Sequence, residues 1–165
     1  KILKDKGLIL RTSWLIGPVA KNFALTMLKL HSEKTELKVI SDQVGCPTST
    51  KTLSKACWKL MEKIESWPHY TKIPQNIFHF SDAGVASWYD VAVAVGEYGK
   101  ELGIIKNPAH VSPISSKEYS SLAKRPHYSL LDCSSTREFL NLPAINWRTT
   151  LKNILKEKRE LLSIE

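Results

Sequence analysis

An α/β fold with an incomplete parallel sheet is predicted from three observations. Strand-like runs alternate with helical patterns of about 10 to 15 residues, the spacing of βαβ units. Only two runs, Leu8 to Thr12 and Ile77 to Phe80, are apolar enough for buried sheet strands. Two parallel strands make a poor sheet, because parallel sheets are normally covered on both faces and contain several strands. From Asn107 onward, Pro108, Pro113, Pro126 and Pro143 break the chain into short pieces, which predicts a small, loop-rich subdomain.

The elements follow from local pattern. Leu8-Ile9-Leu10 opens a strand that ends in the polar and aromatic cluster Arg11-Thr12-Ser13-Trp14. In open α/β sheets, strand ends of this kind face the ligand crevice. Phe23, Met27 and Leu30 mark an amphipathic helix over Asn22 to His31, and Leu37 to Ile40 is a short strand. Ser41 to Thr48 reads as a loop by its Gly and Pro. Ser49 or Thr50 caps a helix to about Ile64, with Leu53, Cys57, Leu60 and Ile64 as its buried stripe. Ser66 to Gln75 is a connection.

Ser87-Trp88-Tyr89-Asp90 has the form of a capping box, and Val91, Val95, Tyr98 and Leu102 continue it as a helix closed by Gly103. A strand is expected at Ser129 to Leu131. A second box, Ser135 to Glu138, starts a short helix, and Trp147, Leu151, Ile154, Leu155 and Leu162 line a final one.

Composition narrows the function classes. With 24 Lys and Arg against 16 Asp and Glu, the 165-residue chain carries a net charge of +8. The lysines are spread at helical spacing, as in Lys51, Lys55, Lys59 and Lys63, which is what a solvated helix face requires. The basic, aromatic-interleaved pattern of a nucleic-acid groove is missing, so no nucleic-acid partner is expected. No apolar run approaches the roughly 20 residues that span a bilayer, and a cytoplasmic protein with no membrane contact is expected. The three cysteines, Cys46, Cys57 and Cys133, form no C-x-x-C pair, and the five histidines show no ligand spacing. No metal site is proposed from the sequence.

Five motifs in order carry a family resemblance: R-T-S-W at 11 to 14, N-F at 22 to 23, D-Q-V-G-C-P-T at 42 to 48, S-W-Y at 87 to 89 and R-P-H-Y-S-L-L-D at 125 to 132. On these the chain resembles the C-terminal half of the dTDP-4-dehydrorhamnose reductase family, within the extended short-chain dehydrogenase/reductase superfamily. The resemblance implies an extended Rossmann-type reductase. Residues 1 to 165 would be a single substrate-binding fragment, with 1 to 16 and about 50 to 80 supplying the last elements of the nucleotide-binding sheet. It further implies that the NADPH-binding N-terminal half is absent from this stretch, with Lys1 to Lys6 as the tail after its catalytic helix.

In that family a Gly-rich turn holds NADPH or NADH, and a Tyr-x-x-x-Lys pair performs the chemistry. The sequence has no G-x-G-x-x-G or G-x-x-G-x-x-G, and Tyr70, Tyr89, Tyr98, Tyr119 and Tyr128 are followed four residues later by Pro74, Val93, Leu102, Ala123 and Asp132. Reducing a keto-sugar needs hydride from a nicotinamide and a proton for the developing alkoxide. The expectation is a dTDP-sugar-binding portion, inactive alone, that binds no cofactor by itself, with no catalytic residue assigned.

The resemblance also assigns contacts, each with a plainer alternative. Trp14 lies beside the sugar ring or is a core tryptophan. Thr12 and Ser13 meet the nicotinamide side of the cofactor or cap a turn. Asn22 approaches the nucleotide-sugar or simply caps its helix. Gln43 bonds sugar hydroxyls or is an exposed loop residue. Arg125, stiffened by Pro126, forks onto the diphosphate or is a surface arginine beside Lys124. Trp88, Tyr89 and Tyr128 are expected to pack in the core.

A second class is a non-catalytic, reductase-like regulatory or binding module, as in the regulatory subunit of methionine adenosyltransferase. R-T-S-W and D-Q-V-G-C-P-T favour the reductase branch. A strand cut from its neighbours invites pairing, so a homodimer or swapped dimer is expected.

Overall fold

A computed structural model describes residues 7–66, 76–119 and 125–163. In chain order the elements are β1 (Ile9–Arg11), β2 (Leu15–Ile16), α1 (Phe23–Glu33), β3 (Glu36–Ile40), β4 (Val44–Gly45), β5 (Thr48–Ser49) and α2 (Thr50–Glu65). They are followed by β6 (Ile77–His79), β7 (Ala86–Ser87), α3 (Trp88–Glu101), β8 (His110–Ile114), α4 (Ser134–Leu140) and α5 (Trp147–Leu162). Lys1 to Lys6 and most of the expected connection, 67–75, lie outside the described residues.

The two predicted strands pair with each other, parallel and in register: Ile9 with Ile77, Leu10 with Phe78, Arg11 with His79. Because side chains alternate across a strand, Leu8, Leu10, Phe78 and Phe80 turn to one face. There they meet Ala56 and Leu60 of α2 and Leu140 of α4. Ile9 and Ile77 turn to the other face and are 51% and 38% exposed. Among the described residues β1 pairs with β6 alone, so one edge and one face of this ribbon are bare.

A second, larger core joins α1, α3 and α5. Ala24, Met27 and Leu28 pack with Val91, Ala94 and Val95 and with Leu151, Ile154 and Leu155. The caps read from sequence are formed. Asn22 accepts from the Leu25 amide at 3.1 Å, Ser49 caps α2, and Ser87 with Asp90 makes a full capping box. Gly103, at φ 71°, follows α3 in the left-handed region that an L side chain disfavours.

Five expectations are corrected. The loop over 41 to 48 contains β4 and β5, which pair with β7 and β2 respectively. These strands are two residues each, too short for any periodicity to show. The proline-broken region hides β8, a five-residue strand parallel to β3 that carries Pro113; among the described residues β8 pairs only with β3 and so sits at an edge, where a missing N–H is tolerated. The strand expected at Ser129 to Leu131 is only a bridge between Val44 and Tyr128. The box at Ser135 is not a cap: α4 starts at Ser134, and its N-cap Cys133 makes no side-chain cap bond. Cys57 is exposed rather than in the α2 stripe, and Ala56 is buried in its place.

Buried Asp82 ties the two cores together. Its carboxylate accepts from the Ser49 amide at 3.0 Å, the Thr52 hydroxyl at 2.6 Å and the Thr150 hydroxyl at 2.7 Å. One side chain thereby joins the start of α2 to α5. It also places an anion at the α2 N-terminus, where the helix dipole favours it.

Candidate functional site: an aromatic cluster at the end of the first strand

The end of β1 turns sharply at Trp14, whose φ is 45°. That region is unfavourable for a bulky side chain and is held only where the surroundings over-determine it. The surroundings do so here. The Thr48 amide donates to the Trp14 carbonyl at 3.0 Å, and the Thr48 hydroxyl donates to the Ser13 carbonyl at 2.6 Å. The Ser13 hydroxyl donates to the Cys46 carbonyl at 3.1 Å.

The Trp14 ring lies flat on Trp88, with centroids 3.6 Å apart and planes at 9°. Trp88 is in turn met by Phe23 at 4.6 Å. On Gly45, a Cβ would sit 2.6 Å from Trp14 Cε2 and 2.8 Å from the Ser129 hydroxyl; only glycine permits this approach. One face of the indole is therefore occupied by Trp88. What Trp14 can offer a ligand is its remaining ring surface and its N–H, which makes no hydrogen bond among the described residues.

The D-Q-V-G loop forms the next wall. Val44 exchanges backbone hydrogen bonds with the 127–129 segment: its amide donates to the His127 carbonyl at 2.7 Å, and its carbonyl accepts from the Ser129 amide at 2.8 Å. Asp42 accepts from the Ser116 amide and hydroxyl at 2.9 to 3.0 Å. The backbone bond from Ser116 is the main reason its carboxyl titrates below the ordinary 3.8. Beneath the loop, burial and then the nearby Asp82 charge push the Cys46 thiol up to about 12.

The predicted site residues can now be placed. Thr12, Ser13 and Trp14 are consecutive at the strand end, Thr12 exposed and Ser13 half-buried. Asn22 adjoins Phe23, but its side chain is engaged locally: the amide nitrogen donates to the Gly17 carbonyl at 2.9 Å while its oxygen caps α1. Gln43 is buried, 7% exposed, so the exposed-loop alternative does not hold. Arg125 is exposed, on the segment that runs beside the loop. Trp88 and Tyr89 pack against the core as expected, whereas Tyr128 is 69% exposed.

Sequence reasoning missed Trp88 as the partner of Trp14, and Gly45 and Ser129 as its neighbours. The signal was present in S-W-Y, since a capping box fixes the first helical residue in space. A separate groove of about 480 Å³ between α2 and α5, lined by Thr50, Lys51, Asn153 and Glu157 among others, contains none of the predicted site residues. Among the described residues no group of acidic, histidine or cysteine side chains could hold a metal, and no helix is long and apolar enough to cross a membrane.

The chain as a whole is similar to known proteins. The dTDP-4-dehydrorhamnose reductase of Aggregatibacter actinomycetemcomitans is 34% identical over 152 residues, covering 92% of this chain and 51% of that protein. The spore coat polysaccharide biosynthesis protein SpsK of Bacillus subtilis is 38% identical over 151 residues, covering 91% and 47%. A crystal structure of the Bacillus anthracis dTDP-4-dehydrorhamnose reductase in complex with NADP superposes with a TM-score of 0.74 at 31% identity, covering 91% of this chain and 48% of that one.

The chain thus spans about half the length of the relatives it matches. Its short parallel strands and helices correspond to the C-terminal part of an extended Rossmann-type reductase. The model of the RmlD substrate binding domain matches residues 2–160, and the chain belongs to that family.

Proposed function

We propose that this chain is the sugar-nucleotide-holding half of an NADPH-dependent dTDP-4-dehydrorhamnose reductase, which reduces the 4-keto group of a dTDP-sugar on the way to dTDP-L-rhamnose. The observation that carries the proposal is the Trp14 indole, held in a strained turn after β1 with one face stacked on Trp88 and Gly45 close to its ring, and with no hydrogen bond to its N–H among the described residues. Backbone strain of this kind is concentrated at functional sites. On this reading β1, β6 and the stretch from about 50 to 80 are the last elements of the nucleotide-binding sheet.

The roles follow from chemistry. Trp14 packs on the sugar and donates its N–H to a hydroxyl. Gln43, a neutral amide in a buried wall, selects hydroxyls rather than charge. Arg125, exposed and free of any ion pair among the described residues, forks onto the diphosphate. Thr12 and Ser13 line the nicotinamide side. Asn22 shapes the turn that carries Phe23 to Trp88 and reaches the ligand only if its local bonds open.

The residues present do not form a nicotinamide site by themselves. The Ser13 hydroxyl is committed to Cys46, and the sequence has neither the Gly-rich turn nor a Tyr-x-x-x-Lys pair. No hydride step is therefore assigned to this chain. The bare edge of β1 suits the docking of an NADPH-binding half, and exchange between copies there when that half is missing.

The test is NADPH oxidation with dTDP-4-dehydrorhamnose. The 165-residue protein alone is expected to show none, and joined behind the NADPH-binding half of a related reductase it is expected to turn over. Turnover by the chain alone, or a folded but inactive fusion, counts against the proposal. Binding of a protein partner without nucleotide-sugar binding would favour the regulatory module instead.

A further inference from the structure

We propose that the groove between α2 and α5 is a second ligand site, one for a small sugar phosphate, separate from the Trp14 cluster and independent of the function proposed for that cluster. The groove has a volume of about 480 Å³, within the size range of small-molecule sites. Half-buried Thr52 and buried Thr150 lie at its floor, and exposed Lys51, Lys55 and Lys156 at its rim.

The floor can accept hydrogen bonds but has no proton to give. The Thr52 hydroxyl donates to Asp82 Oδ1 at 2.6 Å, and the Thr150 hydroxyl donates to Asp82 Oδ2 at 2.7 Å. A hydroxyl has one proton and two lone pairs, so only acceptor capacity remains on each threonine. Asp82 is itself buried and fixed by the Ser49 amide at 3.0 Å, which locks both hydroxyls in this orientation. A ligand on this floor needs hydroxyl donors of its own. The Asn153 side chain, with no hydrogen bond among the described residues, adds one amide donor and one acceptor beside it.

The rim has the opposite character. Lys51 is matched by Glu157 at 2.9 Å, a pair that joins the two helices. Lys55 and Lys156 have no ion pair among the described residues and face a single unpaired acid, Glu160. Two ammonium groups on one groove favour a compact dianion, and a phosphomonoester carries about −1.5 to −2 charge at pH 7. The lysines carry this site, because the α2 N-terminus is already occupied: Asp82 takes the Ser49 amide and the Ser49 hydroxyl takes the Lys51 amide. Glu157 and Glu160 interrupt any continuous basic track, which disfavours a nucleic acid strand. Cationic donors above and hydroxyl acceptors below therefore define a ligand with a phosphate at one end and hydroxyls at the other.

An NMR titration of the 165-residue chain with glucose 6-phosphate, glucose and inorganic phosphate tests the proposal. Glucose 6-phosphate is expected to shift the Thr52, Lys55, Asn153 and Lys156 amides saturably, with a Kd of about 1 mM, while the Trp14 and Trp88 amides stay in place. Glucose and inorganic phosphate should each bind at least about tenfold more weakly, since each lacks one half of the recognition. Lys55→Ala and Lys156→Ala should each weaken glucose 6-phosphate by about tenfold. Both positions are exposed on helices, where alanine is well tolerated, so the fold is kept. Trp14→Ala should leave this binding unchanged, which separates the groove from the nucleotide-sugar site. The proposal is overturned by the absence of saturable shifts at the groove, by shifts centred on Trp14, by equal affinity for inorganic phosphate, or by binding that both lysine variants leave unchanged.

Discussion

Trp14 and Trp88 lie face to face, 3.6 Å between ring centroids and 9° between planes. The first residue lies in the turn between β1 and β2, and the second begins α3 far along the chain. This contact joins the strand end to the larger core, because Trp88 also meets Phe23 of α1. Trp88→Ala should remove a stacking contribution of about 1 kcal/mol beyond area burial and free Trp14 to leave its strained turn. The expected outcome is a modest fall in urea stability with a larger fall in dTDP-sugar affinity; equal losses in both would show that the stack serves packing alone.

Gly45→Ala tests the same cluster from the other side. A Cβ there meets Trp14 Cε2 at 2.6 Å and the Ser129 oxygen at 2.8 Å. Something must shift, at about 1 to 3 kcal/mol for overpacking of this kind. Chemical denaturation should show that loss, and tryptophan fluorescence should report a changed Trp14 environment. A variant as stable as the parent would mean that the loop moves freely.

Asp82→Ala should be among the most damaging single changes. It would leave the Ser49 amide and the hydroxyls of Thr52 and Thr150 without their acceptor. A buried donor left unsatisfied costs about 1 to 3 kcal/mol, and a loss of at least that size is expected, read from the urea midpoint. A loss under about 1 kcal/mol would contradict its role as the link between the cores.

Cys46 should be inert and Cys57 reactive. Only the thiolate is nucleophilic, and burial with the Asp82 charge pushes the Cys46 thiol from 9.0 up to about 12. Under native conditions at pH 8, iodoacetamide is expected to label exposed Cys57 and to spare Cys46 and Cys133, both buried. The sign for stability follows. The folded pKa lies above the unfolded one, so the contribution of Cys46 is complete below about pH 9 and is lost as pH rises toward 12. Cys46→Ala should flatten that alkaline decline.

Asp42 behaves in the opposite sense. Its carboxyl is lowered from 3.8, first by the Ser116 backbone bond, so its hold on Ser116 persists above the ordinary value and fails as pH falls through the lowered one. Carboxyl titration by NMR should place Asp42 below an unstructured aspartate, and Ser116→Ala should leave most of that shift, because the backbone bond remains.

Much of the larger elements was legible because their signals are local. Asn22, Ser49 and Ser87 announced α1, α2 and α3, and the apolar runs at Leu8 and Ile77 announced the strands that pair. What escaped was set by distance. β4 and β5 are two residues each and exist only through their partners, and β8 tolerates Pro113 only because it sits at an edge. Trp14 was singled out by its motif as a candidate, but its stacking partner Trp88 was not, since a stack between residues 74 positions apart leaves no local trace. Gln43 read as an exposed loop residue or a ligand contact, and only the fold shows it buried.

Isothermal titration of the 165-residue chain with dTDP-L-rhamnose and, separately, with NADPH addresses the central claim most directly. Saturable binding of the nucleotide-sugar that is lost in Trp14→Ala, with no binding of NADPH, is the predicted result. Failure of the folded chain to bind the nucleotide-sugar, or binding that Trp14→Ala leaves unchanged, would contradict it.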